Sequence, residues 1–210
     1  MTKLSVNINK IATLRNARGG YTPSVLQAAK DIENFGAEGI TVHPRPDERH
    51  ITRADAYGLK DVVTTEYNIE GNPTDDFIQM VLEIKPTQVT LVPDGPDAIT
   101  SNAGWDCINQ KDYLSPIISQ FKNAGIRVSV FLDPVVEQVD AALACGTDRI
   151  ELYTEAYASE YAHNREDAIA PYKATAKRAI DLGLSVNAGH DLSLENLSYF
   201  VSEIPEILEV

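Results

Sequence analysis

The stretch RVSVFLDPVVEQVDAALACGTDRIEL, residues 127–152, decides the fold. Residues 127–132 are a mostly apolar, valine-rich run of strand length, the pattern of a strand buried on both faces. Asp133 and Pro134 follow and mark a helix start. Apolar residues then recur at helical spacing over 134–144, and Gly146 supplies the left-handed cap that ends such a helix. A second strand begins at Arg149. Strand, helix and strand in so short a span make a βαβ unit, which requires parallel strands and a right-handed crossover.

The same unit repeats in both directions. Strands are predicted at 4–9, 39–43, 66–70, 88–92, 149–152 and 184–188, and residues 206–210 open another. Helices are predicted near 23–35, 52–63, 74–84, 111–124, 165–182 and 193–203. In the first of these Leu26, Ala29, Ile32 and Phe35 form the apolar face. Gly36, Gly125 and Gly183 repeat the role of Gly146. Thr52, and Ser193 followed by Glu195, stand where helix starts belong. No Pro- or Ser-rich linker divides the chain, so residues 1–210 are read as one domain. Repeated βα units and the start of an eighth strand predict an α/β fold, a (β/α)8 barrel lacking the end of strand eight and the last helix. Such a barrel is expected to leave a sheet edge and part of its core uncovered. No GxGxxG follows the first strand, which argues against a dinucleotide fold. The longest irregular stretch, 93–106, is read as a lid.

Of the 210 residues 43% are hydrophobic and 23% charged, as in globular chains that build a core without metal or disulfide. No apolar run is long enough for a membrane span, and the N-terminus has no secretory pattern. Cys107 and Cys145 form no metal or redox motif and are read as packing residues. A cytoplasmic location is expected. With 18 basic and 31 acidic residues, a net charge of −13, the chain is not a diffuse nucleic-acid binder. The local gathering of Arg15, Arg18, Arg45 and Arg49 suits a small anionic ligand instead.

In a (β/α) barrel the loops after the strands build the active face. Those positions carry Asn7 and Asn9, then His43, Arg45 and His50, then Glu70, Thr100, Glu151 and His190. Two histidines and two glutamates at one mouth supply proton donors and acceptors near neutral pH. Arg18, Arg45 and His50 supply cationic donors for phosphate oxygens. His163 is read as loop surface. There is no HExxH, EF-hand or G-x-S-x-G pattern, and no metal or cofactor is expected. The residues alone predict acid–base chemistry on a phosphorylated small molecule. Two other readings stay open: an aldolase or isomerase of phosphosugars, with Lys10 as the candidate Schiff-base lysine, and a non-catalytic barrel that binds phosphorylated ligands or a protein partner.

Four segments carry a resemblance: VNINKIATLRNARGGY at 6–21, GITVHPRPDERHIT at 39–52, YNIEGNP at 67–73 and SVNAGHDLSLENLS at 185–198. Together they resemble the pyridoxine 5′-phosphate synthase family of vitamin B6 biosynthesis, in register from about residue 4 to residue 210. The resemblance implies a barrel that assembles as a homo-octamer. It implies condensation of 1-deoxy-D-xylulose 5-phosphate with 3-amino-2-oxopropyl phosphate to pyridoxine 5′-phosphate, phosphate and water. It further implies that His43 and Glu70 accept protons, that His190 donates one, and that Glu151 stabilises a transition state. Arg45, His50 and Thr100 then contact the pentose phosphate, and Asn7 and Arg18 the amino ketone phosphate.

The chain departs from the family pattern in places. Asn9-Lys10 stand where the family has Asp-His, and Asp191 stands where it has Gly. All three are expected to border bound substrate. Asn9 keeps hydrogen bonding without charge, Lys10 meets a phosphate as a point charge, and Asp191 must turn away from any phosphate beside it. The family continues past the position of Val210 with the rest of strand eight, a Gly-His phosphate turn and a final helix.

Overall fold

The computed structural model describes residues 1–95 and 100–210. Seven parallel strands lie side by side in chain order. They are β1 (Ser5–Asn7), β2 (Gly39–Val42), β3 (Glu66–Gly71), β4 (Gln88–Leu91), β5 (Arg127–Leu132), β6 (Arg149–Tyr153) and β7 (Ser185–Gly189). Helices alternate with them: α1 (Asn9–Arg18), α2 (Val25–Asn34), α3 (Arg53–Leu59), α4 (Asp75–Ile84), α5 (Lys111–Asn123), α6 (Val136–Cys145), α7 (Glu155–Asp181) and α8 (Leu197–Glu203). Among the described residues no helix is long and apolar enough to cross a membrane.

The sheet curls until residues 207–210 bridge its two edges. On one side Leu208 N–H donates to the Val186 carbonyl at 2.9 Å and Ala188 N–H to the Glu209 carbonyl at 3.0 Å. On the other, Lys3 N–H donates to the Leu208 carbonyl at 2.8 Å and Ser5 N–H to the Val210 carbonyl at 2.9 Å. The uncovered edge expected from the sequence is therefore paired. A short segment suffices because it bonds to a strand on each side, satisfying donors and acceptors of both.

Strand alternation sorts the side chains. Ile40, Val42, Ile69, Val89, Leu91, Val128, Val130, Ile150, Leu152 and Val186 are buried in the core that includes residues of the helices. Their neighbours point to the axis and are unusually polar. At the lower end Arg149 pairs with Glu66 at 3.2 Å and Glu209 at 3.4 Å, and Arg127 also pairs with Glu66. Above them Thr90 Oγ1 donates to Asn68 Oδ1 at 3.1 Å, and Asn68 Nδ2 donates to Thr41 Oγ1 at 3.3 Å. A barrel axis filled with branched apolar residues would be sealed; this one leads upward from ion pairs to titratable groups.

Local chemistry explains most boundaries. Gly36, Gly125, Gly146 and Gly183 all have positive φ, from 81° to 106°, as their cap role requires. Thr52 forms a full capping box with Asp55. Several expectations are corrected. Helix α1 was not visible, because Ile8 at its start makes no side-chain cap and only Ala12 is buried. Helix α6 starts at Val136, because Asp133 accepts from Gly104 N–H at 3.1 Å instead of capping. Helix α8 starts at Leu197, because Ser193 Oγ closes a turn onto Glu195 N–H at 3.3 Å. Helix α7 begins at Glu155 rather than 165 and kinks at Asn164, so His163 is helical as well as exposed. Phe35 follows α2 and is 86% exposed, so the apolar face of that helix is carried by Val25, Ala29 and partly buried neighbours. Cys107 and Cys145 are buried free thiols. Of the stretch read as a lid, residues 96–99 lie outside the described residues.

Candidate active site

A cavity of about 780 Å³ opens at the ends of the strands. His43, Glu70, Glu151 and His190 line it, from β2, β3, β6 and β7 or the residue just after. Asn7, Asn9, Lys10, Arg45, His50, Thr100 and Asp191 line it too. Arg18 does not; it stands exposed in the last turn of α1. Arg15, grouped with it in the sequence, is held by Asp55 at 2.5 Å and also donates to the His50 carbonyl at 3.2 Å. That pair, with Asn16 bonding the carbonyls of Glu48, Arg49 and His50, ties the loop after β2 to α1.

His43 is 6% exposed, and its backbone N–H donates to Asn9 Oδ1 at 2.9 Å. Asn9 thus holds the loop that carries His43 through its side-chain amide oxygen. His43 Nδ1 lies 3.8 Å from Glu70 Oε2. Burial, then the charges of Arg45, His50 and Arg49, push the His43 imidazole down to about 3. Burial, then Arg45 and Arg49, with a smaller push from Lys10, lower His50 to about 4. This cationic field is what a bound phosphate would neutralise. Glu70 moves the opposite way, held well above the usual carboxylate range by burial and then by Glu151, Asp94 and Glu209. The cavity therefore sets a neutral imidazole beside a carboxyl that holds its proton tightly.

Glu151 is pushed up to about 7 by burial, against which only the Thr90 hydroxyl, 3.3 Å away, works. A carboxyl raised in the fold favours folding at low pH, and that contribution is lost as pH rises through about 7. Glu151→Gln is therefore expected to stabilise the protein by about 1–3 kcal/mol at about pH 8 and to give no gain near pH 4. Urea melts at the two pH values check this; a gain that ignores pH would show that Glu151 does not ionise at a cost in the fold.

Sequence reasoning missed several groups in the cavity or bonded to residues that line it. Asp94, just past β4, takes a hydrogen bond from Arg45 at 2.7 Å and another from Ser101 at 2.7 Å. Its second oxygen is buried without a hydrogen-bond partner. Asn187 lines the cavity with its Nδ2 buried and unpartnered. Glu209 forms part of the floor, where its pairing with Arg149 could not be foreseen without strand closure.

Parallel strands, an open polar axis and acid–base groups at the strand ends define a barrel enzyme that moves protons on an anionic small molecule. Comparison with known proteins makes this specific. The family model described as "Pyridoxal phosphate biosynthesis protein PdxJ" matches residues 4–210, and the chain belongs to this family. The pyridoxine 5′-phosphate synthase of Cytophaga hutchinsonii is 62% identical over all of this chain and 88% of its own length. That of Christiangramia forsetii is 60% identical over all of this chain and 89% of its own. Among solved structures, monomers of phosphoribosylanthranilate isomerase from Thermotoga maritima match with a TM-score of 0.61. The match is 14% identical and spans all of this chain and 87% of theirs. That likeness shows the barrel fold alone.

Proposed function

We propose that this chain, as one barrel domain, is a pyridoxine 5′-phosphate synthase. It joins 1-deoxy-D-xylulose 5-phosphate to 3-amino-2-oxopropyl phosphate and releases phosphate and water. The observation that carries the reading is one cavity in which His43, Glu70, Glu151 and His190 face each other beside a cationic cluster. Amine attack on a ketone, loss of water and ring closure each move protons, and such groups serve them.

In this reading His43 accepts protons, because it is neutral across the working pH range. Glu70, 3.8 Å away and the stronger base, takes them on whenever its carboxylate is ionised. His190 donates, and Glu151 faces the charge that develops in the transition state. Arg45, His50 and Thr100 hold the pentose phosphate, with Arg45 fixed in place by its bond to Asp94. Asn7 and Lys10 meet the amino ketone phosphate from the cavity lining, and Arg18 from outside it. No cofactor, nucleic acid or membrane enters this scheme, and a cytoplasmic enzyme fits it. Tyr21, Phe35 and Leu194 are large, apolar and more than four-fifths exposed, which suits contacts between copies in an octamer. Light scattering is expected to give the mass of eight chains; a monomer would remove the octamer.

The direct test mixes purified chain with both substrates and follows pyridoxine 5′-phosphate by absorbance and phosphate release in parallel. Product from both substrates together and from neither alone is expected. A folded protein that binds both but makes no product would overturn the reading.

A further inference from the structure

His190 is held on three sides. Its Nδ1 lies 2.5 Å from Asp191 Oδ2, its Nε2 lies 3.1 Å from Thr100 Oγ1, and its ring meets Tyr153 edge-on with centroids 4.9 Å apart. The backbone that presents it is unusual. His190 has φ +99° and Asp191 φ +58°, two consecutive non-glycine residues in a region that costs such residues of order 1 kcal/mol each or more. The turn is fixed from outside: Thr154 Oγ1 donates to the His190 carbonyl, and Asn196 Nδ2 donates to the Asp191 carbonyl at 3.2 Å. The result of this strained, clamped turn is a carboxylate aimed at an imidazole.

We propose that Asp191 is a positioning residue that keeps the proton of neutral His190 on Nδ1, so that Nε2 exchanges protons with substrate. An ionised carboxylate only accepts, so the ring nitrogen against it must carry the hydrogen. Nε2 then holds the lone pair and accepts from the Thr100 hydroxyl. When Nε2 takes a proton, the carboxylate faces the resulting cation, and that cation is the state from which His190 donates to substrate. The same logic lets an aspartate fix the tautomer of a histidine whose other nitrogen meets a hydroxyl. The Asp191 charge is thereby engaged by the ring rather than set against a phosphate. The Asp191 assignment deepens the synthase reading above, and its kinetic half rests on that reading.

His50 provides the internal contrast. Its Nδ1 accepts from Ile51 N–H at 2.9 Å, so its proton belongs on Nε2. The test is 15N NMR of histidine-labelled protein in mildly alkaline buffer, with His190→Gln to assign the signal. His190 is expected to show a protonated Nδ1 and a bare Nε2, and His50 the reverse. Asp191→Gly suits the positive φ and leaves the turn free to form. It is expected to remove the tautomer preference and to lower kcat about tenfold with KM within about twofold. The loss is smaller than for a buried triad because the Asp191 side chain is 51% exposed. A wild-type His190 with its proton on Nε2, an unchanged tautomer in Asp191→Gly, or a rise in KM alone would each overturn the proposal. The NMR result needs no turnover, so a chain without synthase activity would defeat the functional reading and leave this assignment to stand or fall by itself.

Discussion

His43→Ala is expected to lower kcat by about 10²–10⁴, the usual worth of a positioned acid or base, while the protein stays folded. The imidazole is 8% exposed, yet it faces the cavity, so its removal leaves room for water rather than a dry void. The lost stability is then about 1 kcal/mol or less. What is removed chemically is larger. His43 is pushed down to about 3, hence a base that is unprotonated at every working pH; His50, lowered to about 4, has its Nδ1 engaged by the Ile51 N–H. Glu70 accepts a proton only when its carboxylate is ionised, a state that burial and the carboxylates of Glu151, Asp94 and Glu209 disfavour near neutrality, so it replaces His43 poorly. The variant should also leave the backbone bond from residue 43 to Asn9 intact, since that bond uses the peptide N–H. Steady-state kinetics with both substrates, beside a thermal melt, separate the effects. Normal turnover would take His43 out of the mechanism; a collapsed melt with proportionate loss of activity would make its role structural.

Much of this site was legible because a parallel barrel puts strand ends on one face, and strands announce themselves by composition. Gly39 to His43, Tyr67 to Glu70 and Ser185 to His190 each read as a short apolar run that ends in a polar group, and each delivers that group to the cavity. Glu151 was legible for another reason, as a lone carboxylate between Ile150 and Leu152, which alternation turns inward. What stayed hidden depends on contacts distant in sequence. Asp94 acquires meaning only when β2 and β4 bring Arg45 against it, a separation of 49 residues. Residues 206–210 read as the opening of an eighth strand, but that residues 208–210 pair with β7 on one side and the β1 edge on the other was hidden, because closure depends on strands far apart in sequence. Helix α1 was hidden because it buries almost nothing and so has no apolar stripe to read.

Gly104→Ala is expected to destabilise the protein by about 3 kcal/mol or more and to impair activity with it. The cause is a backbone approach that no sequence pattern reports. A Cβ at residue 104 would lie 2.2 Å from the backbone nitrogen of Asp133 and 2.5 Å from the Leu132 carbonyl carbon and Cα. None of these atoms can rotate away, because they belong to the end of β5. The contact is made close by two bonds: Gly104 N–H donates to Asp133 Oδ2 at 3.1 Å, and Trp105 N–H donates to the Phe131 carbonyl at 2.8 Å. To admit a methyl group the loop must lift, breaking both bonds and exposing Trp105, which is 4% exposed as it stands. The same loop carries Ser101 and Thr100, three and four residues earlier, which bond Asp94 and His190. Lifting it withdraws support from Arg45 through Asp94 and from the Nε2 side of His190 in one motion. For a chain of this size the loss corresponds to about 6–12 °C in Tm. Calorimetry and turnover measured well below that Tm distinguish the two consequences. A melt within about 2 °C of the parent would show that the loop yields without cost, and the close approach would then have no structural role.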